Sequence, residues 1–150
     1  MEFEFTVLGK AKSKGSWKVV TVNGKNQFVP QVDKGKLWEM AVRESAYSAF
    51  CYEGSPRKLI DAPLRVEIVC FFARPKVHYR TGKFSDQLKP DAPHAHTKAP
   101  DCDKLARGIL DAMTGVVYYD DSQVSELVSK KEWTEGHEHA VFRVRVIEQV

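Results

Sequence analysis

Pro100-Asp101-Cys102-Asp103-Lys104-Leu105-Ala106-Arg107-Gly108-Ile109-Leu110-Asp111-Ala112-Met113-Thr114-Gly115 is the most informative run in the chain. Leu105, Ile109, Ala112 and Met113 recur at helical spacing, which predicts a helix from just after Pro100 to about Met113, ended by Thr114-Gly115. Asp101 and Asp103 fall at the helix entry. In an extended entry alternate side chains share one side, so both carboxylates can face one point while Cys102 faces away. Asp103, Arg107 and Asp111 follow at i, i+4 and i+8 along one stripe. Beyond Gly115 an apolar stretch, Val116-Val117-Tyr118-Tyr119, leads into Asp120-Asp121. If that stretch folds back on a sheet, it carries the acidic pair towards the same helix start.

Clustered carboxylates repel one another, at a cost that grows as they lose water. A hard cation such as magnesium removes the cost, and it keeps several waters, so two or three carboxylates suffice. Asp101, Asp103, Asp120 and Asp121 are therefore candidate metal ligands. Each also has a plainer role. Aspartate before a helix is a common N-cap, and Asp101 is well placed for it. Asp111 is an ordinary helix partner for Arg107. Asp120-Asp121-Ser122 is common turn composition. The pattern alone leaves both readings open.

Working outward, residues 73–100 form a long polar segment rich in proline and histidine, and loops of that length are usually functional or mobile. Leu64 to Phe72 reads as a strand apolar enough to be central in its sheet. Residues 2–8 alternate as a half-buried strand. Residues 17–29 read as a hairpin around Asn23-Gly24, a pair suited to a type I′ turn. Asp33 is expected to cap a helix running to about Phe50, with Leu37, Met40, Ala41 and Tyr47 near one face. Gly54-Ser55-Pro56 breaks the chain. Val124 to Trp133 and Ala140 to Ile147 read as two further strands joined around Gly136. The sum is one α+β domain over residues 1–150, two main helices packed on a mixed β-sheet.

Composition agrees. The chain has 150 residues, 43% of them hydrophobic, enough for a single core. A net charge of +3 permits a nucleic-acid partner without demanding one. Cys51, Cys70 and Cys102 are odd in number and form no CxxC, so neither a disulfide framework nor a zinc site is expected, and a reducing cytoplasm fits. No window suggests a membrane span, and Met1 to Phe5 does not open a signal peptide.

The cations gather in two places. Lys10, Lys12, Lys14 and Lys18 lie in or beside the first loop, with Trp17. Arg74, Lys76, Arg80, Lys83, Lys89 and Lys98 populate the long loop, with Tyr79 and Phe84. They are either a solvated surface or a set of DNA phosphate contacts, with aromatic rings available to stack on exposed bases. His94, His96 and Cys102 have no structural-zinc spacing. Gly9 to Ser16 lacks the Gly-Lys-Ser/Thr ending of a phosphate-binding loop, so no nucleotide cofactor is expected.

The run from Lys98 to Gly115, continued by Asp120-Asp121-Ser122-Gln123-Val124, resembles the signature of the RusA family of Holliday-junction endonucleases. That signature reads roughly Pro-Asp-x-Asp-Asn-Leu-x-Lys, then Leu-Asp-Ala-Leu, Gly and Asp-Asp-Ser-Gln-Val. A weaker likeness covers Gly9 to Gly15. The resemblance implies a RusA-like fold and a homodimer that nicks four-way DNA junctions on two strands with magnesium or manganese. It carries the catalytic carboxylates to Asp101, Asp103 and Asp121, with Asp120 beside them. Two residues depart from it. Lys104 stands where the family has asparagine, and Arg107 where it has a functional lysine. Arginine keeps the charge and clamps phosphate, but sheds no proton near neutral pH. An electrostatic role survives the exchange and proton donation does not; Lys104 is the other candidate for the catalytic cation. Two alternatives follow: a branched-DNA-binding protein without cleavage, and a DNA endonuclease with looser structural preference.

Overall fold

A computed structural model describes residues 1–14, 17–30, 35–51 and 57–148. In chain order the elements are β1 (Glu2–Leu8), β2 (Trp17–Val22), β3 (Lys25–Pro30), α1 (Lys36–Phe50), β4 (Leu64–Ala73), α2 (Cys102–Met113), β5 (Val124–Thr134) and β6 (His139–Val146). The main sheet has the order β1-β6-β4-β5, with β4 and β5 parallel and the other neighbours antiparallel. The expected α+β architecture of two helices on a mixed sheet is the one observed.

Period-two alternation gives the sheet two unlike faces. Phe5, Val7, Leu64, Val66, Ile68, Cys70, Phe72, Ala140, Phe142 and Val144 point inward and are buried. The opposite face carries a charge ladder across four strands. Arg143 on β6 meets Glu4 at 2.8 Å and Glu67 at 3.8 Å, and Arg65 on β4 meets Glu67 and Glu126, each at 2.7 Å. The helices cover the apolar face. β4 is internal, as its apolar content requires.

Asn23 and Gly24 both have positive φ, 51° and 73°, which closes the β2–β3 hairpin as its sequence predicts. The face of α1 is a correction. Its buried stripe is Trp38, Val42, Ala46 and Phe50, while Leu37, Met40 and Tyr47 are exposed and Ala41 only partly buried. The helix offers two apolar stripes, and the one ending in Phe50 wins because that ring reaches Phe3, 5.6 Å away between centroids. Gly35 stands at the cap position of α1. Asp33 and the Gly54-Ser55-Pro56 break lie outside the described residues. The three cysteines are free thiols, and burial pushes that of Cys70 up to about 12. No helix among the described residues is long and apolar enough to cross a membrane.

Candidate functional site

The site is built on α2, held at both ends. Ser129 on β5 donates its hydroxyl to the Cys102 carbonyl at 3.0 Å. At the other end the Tyr118 hydroxyl donates to the Leu110 carbonyl at 2.8 Å, and Arg43 of α1 reaches the Thr114 carbonyl at 3.5 Å. Leu105, Ala106, Ile109, Ala112 and Met113 are buried, as the stripe predicts. That leaves Asp103 and Arg107 on the exposed side.

Gly108 brings a second segment onto this helix. A Cβ there would stand 3.5 Å from the Lys14 Cβ and 3.6 Å from its backbone nitrogen. The first loop lies flat against α2 at this point, with Ala11 buried in the core and Lys14 N–H directed to the Lys104 carbonyl at 3.5 Å. The Lys14 ammonium pairs with Asp111, and this hydrogen bond holds its pKa above the ordinary lysine value. The expected Arg107–Asp111 pair is thereby corrected. Asp111 is taken by a residue 97 positions away, and Arg107 has no ion pair among the described residues. A lysine delivered by tertiary packing displaced the local partner.

Asp101 occupies the N-cap position of α2 in extended conformation, but its side chain makes no capping hydrogen bond. Its carboxylate meets Lys104 at 3.2 Å instead, an exposed i,i+3 pair. Asp103, in the first turn, is exposed and has no ion-pair partner among the described residues. Acidic groups suit this end because the helix dipole is positive there.

The Asp120-Asp121-Ser122-Gln123 turn divides its labour. Asp120 accepts the Ser122 N–H at 2.8 Å, and that bond holds its carboxyl below the usual aspartate value. The Gln123 side chain accepts from the backbone of Tyr119 and Asp120 and donates to the carbonyls of Ile60 and Ala62. Asp120 and Gln123 are thus structural, and Asp121 is left exposed. The turn does not stand at the start of α2. Val124, which follows it, is five strand residues, about 17 Å, before Ser129 at the helix entry. Burial above all pushes up the pKa of the Tyr118 phenol, and the charges of Asp121, Asp111 and Asp120 add to it. The expectation that the fold-back gathers four carboxylates at the helix start is corrected, because the turn enters β5 five residues before Ser129. Among the described residues no three His, Cys, Asp or Glu side chains are grouped closely enough to hold a metal. The pair Asp101 and Asp103 still fits magnesium, which often takes one or two carboxylates and completes its shell with substrate phosphate and water.

The expected DNA-contacting cations fall at different places. Lys10, Lys12, Lys76, Arg80 and Lys98 are exposed, Arg74 is half-buried, and Lys14 is committed to Asp111. The side chain of Lys18 lies outside the described residues. Sequence reasoning missed what anchors the long loop. The ring of Trp133, at the end of β5, stacks on His96 at 4.2 Å between centroids. It takes the edge of His78 at 5.2 Å, and Arg74 lies over it at 5.3 Å. Aromatic and histidine residues recurring in an otherwise polar loop were the available signal.

Comparison with known proteins places the chain in a family. Residues 9–145 match the family described as Endodeoxyribonuclease RusA, a span that includes the first loop, both helices and the Asp120-Asp121 turn. A protein of Bacillus subtilis (strain 168) named Uncharacterized protein YqaN is 26% identical over 132 residues, 88% of each chain. With the match extending across nearly all of the folded chain, this protein belongs to the RusA family of endodeoxyribonucleases.

Proposed function

We propose that the protein is an endonuclease of branched DNA that resolves four-way Holliday junctions by paired nicks, in recombination and repair. The observation that carries this reading is the exposed Asp101 and Asp103 pair at the start of α2, one turn from the unpaired guanidinium of Arg107. Hydrolysis of a phosphodiester needs a water to attack phosphorus as the bond to the leaving sugar oxygen breaks. The carboxylates of Asp101 and Asp103 accept and orient that water. Arg107 stabilises the charge that builds on the phosphoryl oxygens. Asp121 belongs to the family pattern and is exposed in the turn that leads into β5. A divalent cation, magnesium or manganese, held by Asp101 and Asp103 and the DNA itself, would neutralise the phosphate and acidify the water.

A resolved junction must be cut at two symmetric positions, and two copies related by a twofold axis are the simplest solution. Leu37, Met40 and Tyr47 on α1 and Phe28 on β3 are exposed in the single chain and available to such a contact. A dimer at micromolar concentration is the expected result in sedimentation.

The decisive experiment incubates the protein with synthetic four-way, three-way and linear duplexes, with magnesium, with manganese and with excess chelator. Paired nicks in the four-way substrate, lost on chelation and restored by either metal, are expected. Equal cutting of linear duplex would mean a less structure-specific endonuclease. Binding without cutting would mean a branched-DNA-binding protein, and full activity in chelator would remove the metal from the reading.

A further inference from the structure

The long loop between β4 and α2 is a braced structure with one protruding point. Arg74 donates to the Pro93 carbonyl at 2.7 Å, and Lys131 of β5 donates to the Lys98 carbonyl at 2.6 Å. With the Trp133 stack, these contacts root both arms. Further out the arms pair: Tyr79 bridges Leu88, the Arg80 N–H donates to the Gln87 carbonyl at 2.8 Å, and Lys89 N–H donates to the His78 carbonyl at 2.9 Å. At the tip, Gly82–Phe84 forms a 3-10 turn, entered by Gly82 at φ 68°, a conformation other residues rarely adopt.

Phe84 sits on that tip, 38% exposed. Arg80 lies over its ring at 4.3 Å and Lys83 at 5.2 Å. Between residues 74 and 98 there are six Lys and Arg against two Asp, Asp86 and Asp91. None of the six has an ion pair among the described residues. The tip thus presents a partly exposed aromatic ring between Lys83 and Arg80, the latter also donating to the Gln87 side chain at 3.0 Å. It matches a base and its two flanking phosphates.

We propose that the knuckle at residues 79–88 is a wedge that places Phe84 against an unstacked base at a DNA branch point, while Arg80 and Lys83 take the flanking phosphates. This inference rests on the branched-DNA reading above and adds the element that recognises the branch. A closed duplex shows only base edges, whereas a branch offers base faces. Apolar side chains inserted between base steps are a recurring way to hold DNA open. The stiffness of the arm supplies what a wedge needs, since a mobile ring would give up the stacking gain in ordering entropy.

The test uses the whole protein in chelator, with a four-way junction carrying 2-aminopurine beside the branch and a linear duplex of the same length. Wild type should raise the fluorescence as the base leaves its neighbours. Phe84→Ala should abolish the rise and weaken junction binding about tenfold or more, the scale of one lost base–aromatic stack, with linear-duplex binding unchanged. Phe84→Trp should keep both signals, and Phe84→Leu, which keeps apolar volume without a π face, should give a smaller rise and weaker junction binding than wild type. Circular dichroism and melting checks that each variant is folded. A folded Phe84→Ala that still binds the junction tightly and gives the full rise would overturn the wedge and leave the nuclease reading intact. Wild-type protein with no preference for junction over duplex would overturn both.

Discussion

Lys14 and Asp111 form an ion pair that fastens the basic first loop to the last turns of α2, so two stretches 97 residues apart present one surface. Lys14 is committed to the protein's own carboxylate, while Lys10 and Lys12 are exposed.

Both partners are about a third exposed, so the pair is worth only about 0.2–1 kcal/mol. A double-mutant cycle of Lys14→Ala and Asp111→Ala, read by urea unfolding, should return a coupling in that range. The Lys14 pKa is raised in the fold, so this contribution is fully present below the ordinary value of 10.5 and is lost as pH rises through the higher folded value. Zero coupling at pH 7 would mean that the loop is held without the ion pair, by Ala11 burial, the Gly108 contact and the Lys14 N–H bond to Lys104.

Asp103→Asn keeps the shape of the first helical turn and removes a negative charge from beside the phosphate. Cleavage should fall by about a hundredfold or more. Junction affinity should be unchanged or higher, because one repulsion is gone. Gel-shift and cleavage assays on one junction separate the two effects, and a variant that cuts at the normal rate would reduce Asp103 to a helix-start residue.

Arg107 and Lys104 divide differently than their sequence positions suggest. Lys104 is engaged by Asp101 at 3.2 Å, whereas Arg107 has no ion pair among the described residues. Arg107→Ala should therefore slow cleavage about a hundredfold while remaining folded. Arg107→Lys should recover much of the rate. Lys104→Ala should stay within a few-fold of wild type, since an exposed pair of this kind contributes little. The reverse pattern would move the catalytic cation to position 104.

Burial is the main cause that lowers the His96 pKa, with Lys131 and His78 adding to it. The folded value lies below the ordinary 6.5, so the unfolded chain binds the proton more readily. The stability this ring contributes is complete above 6.5 and is lost as pH falls through the folded value. Nuclear magnetic resonance titration should find His96 below 6.5. Limited proteolysis should cut the segment 73–100 faster as pH drops through its midpoint, and a pH-independent cleavage rate would show that the Trp133 stack does not hold the loop.

Most of the secondary structure was legible because its signals are local: the alternation of residues 2–8, the Asn23-Gly24 turn, the stripe of α2 and the apolar run of β4 each decide their own conformation. The carboxylate pair was legible for the same reason. The face of α1 was not, because Leu37 and Tyr47 are as apolar as Val42 and Ala46, and only packing against Phe3 chooses between them. The partner of Asp111 was hidden because an i,i+4 arginine is the default until a distant lysine is delivered by a glycine-lined contact. The position of Asp120-Asp121 failed on the direction of β5, which runs from that turn towards the helix start rather than away from it. Trp133 gave no warning of its role, since a tryptophan at a strand end reads simply as core.

The order of strands in the sheet has a bearing on how the protein comes into being. β6, the last strand in the chain, is inserted between β1, the first, and β4. Sheets built from such distant pairings close slowly, because the whole intervening chain must be confined before the pairing stabilises anything. A nascent chain already carries Asp101, Asp103 and Arg107 when only half the sheet has left the ribosome, yet β1 and β4 have no partner between them until residue 146 emerges. The surface that carries these residues is therefore assembled only after β6 has been made, and truncation before β6 yields a polypeptide with every acidic residue of the candidate site and no platform to hold them.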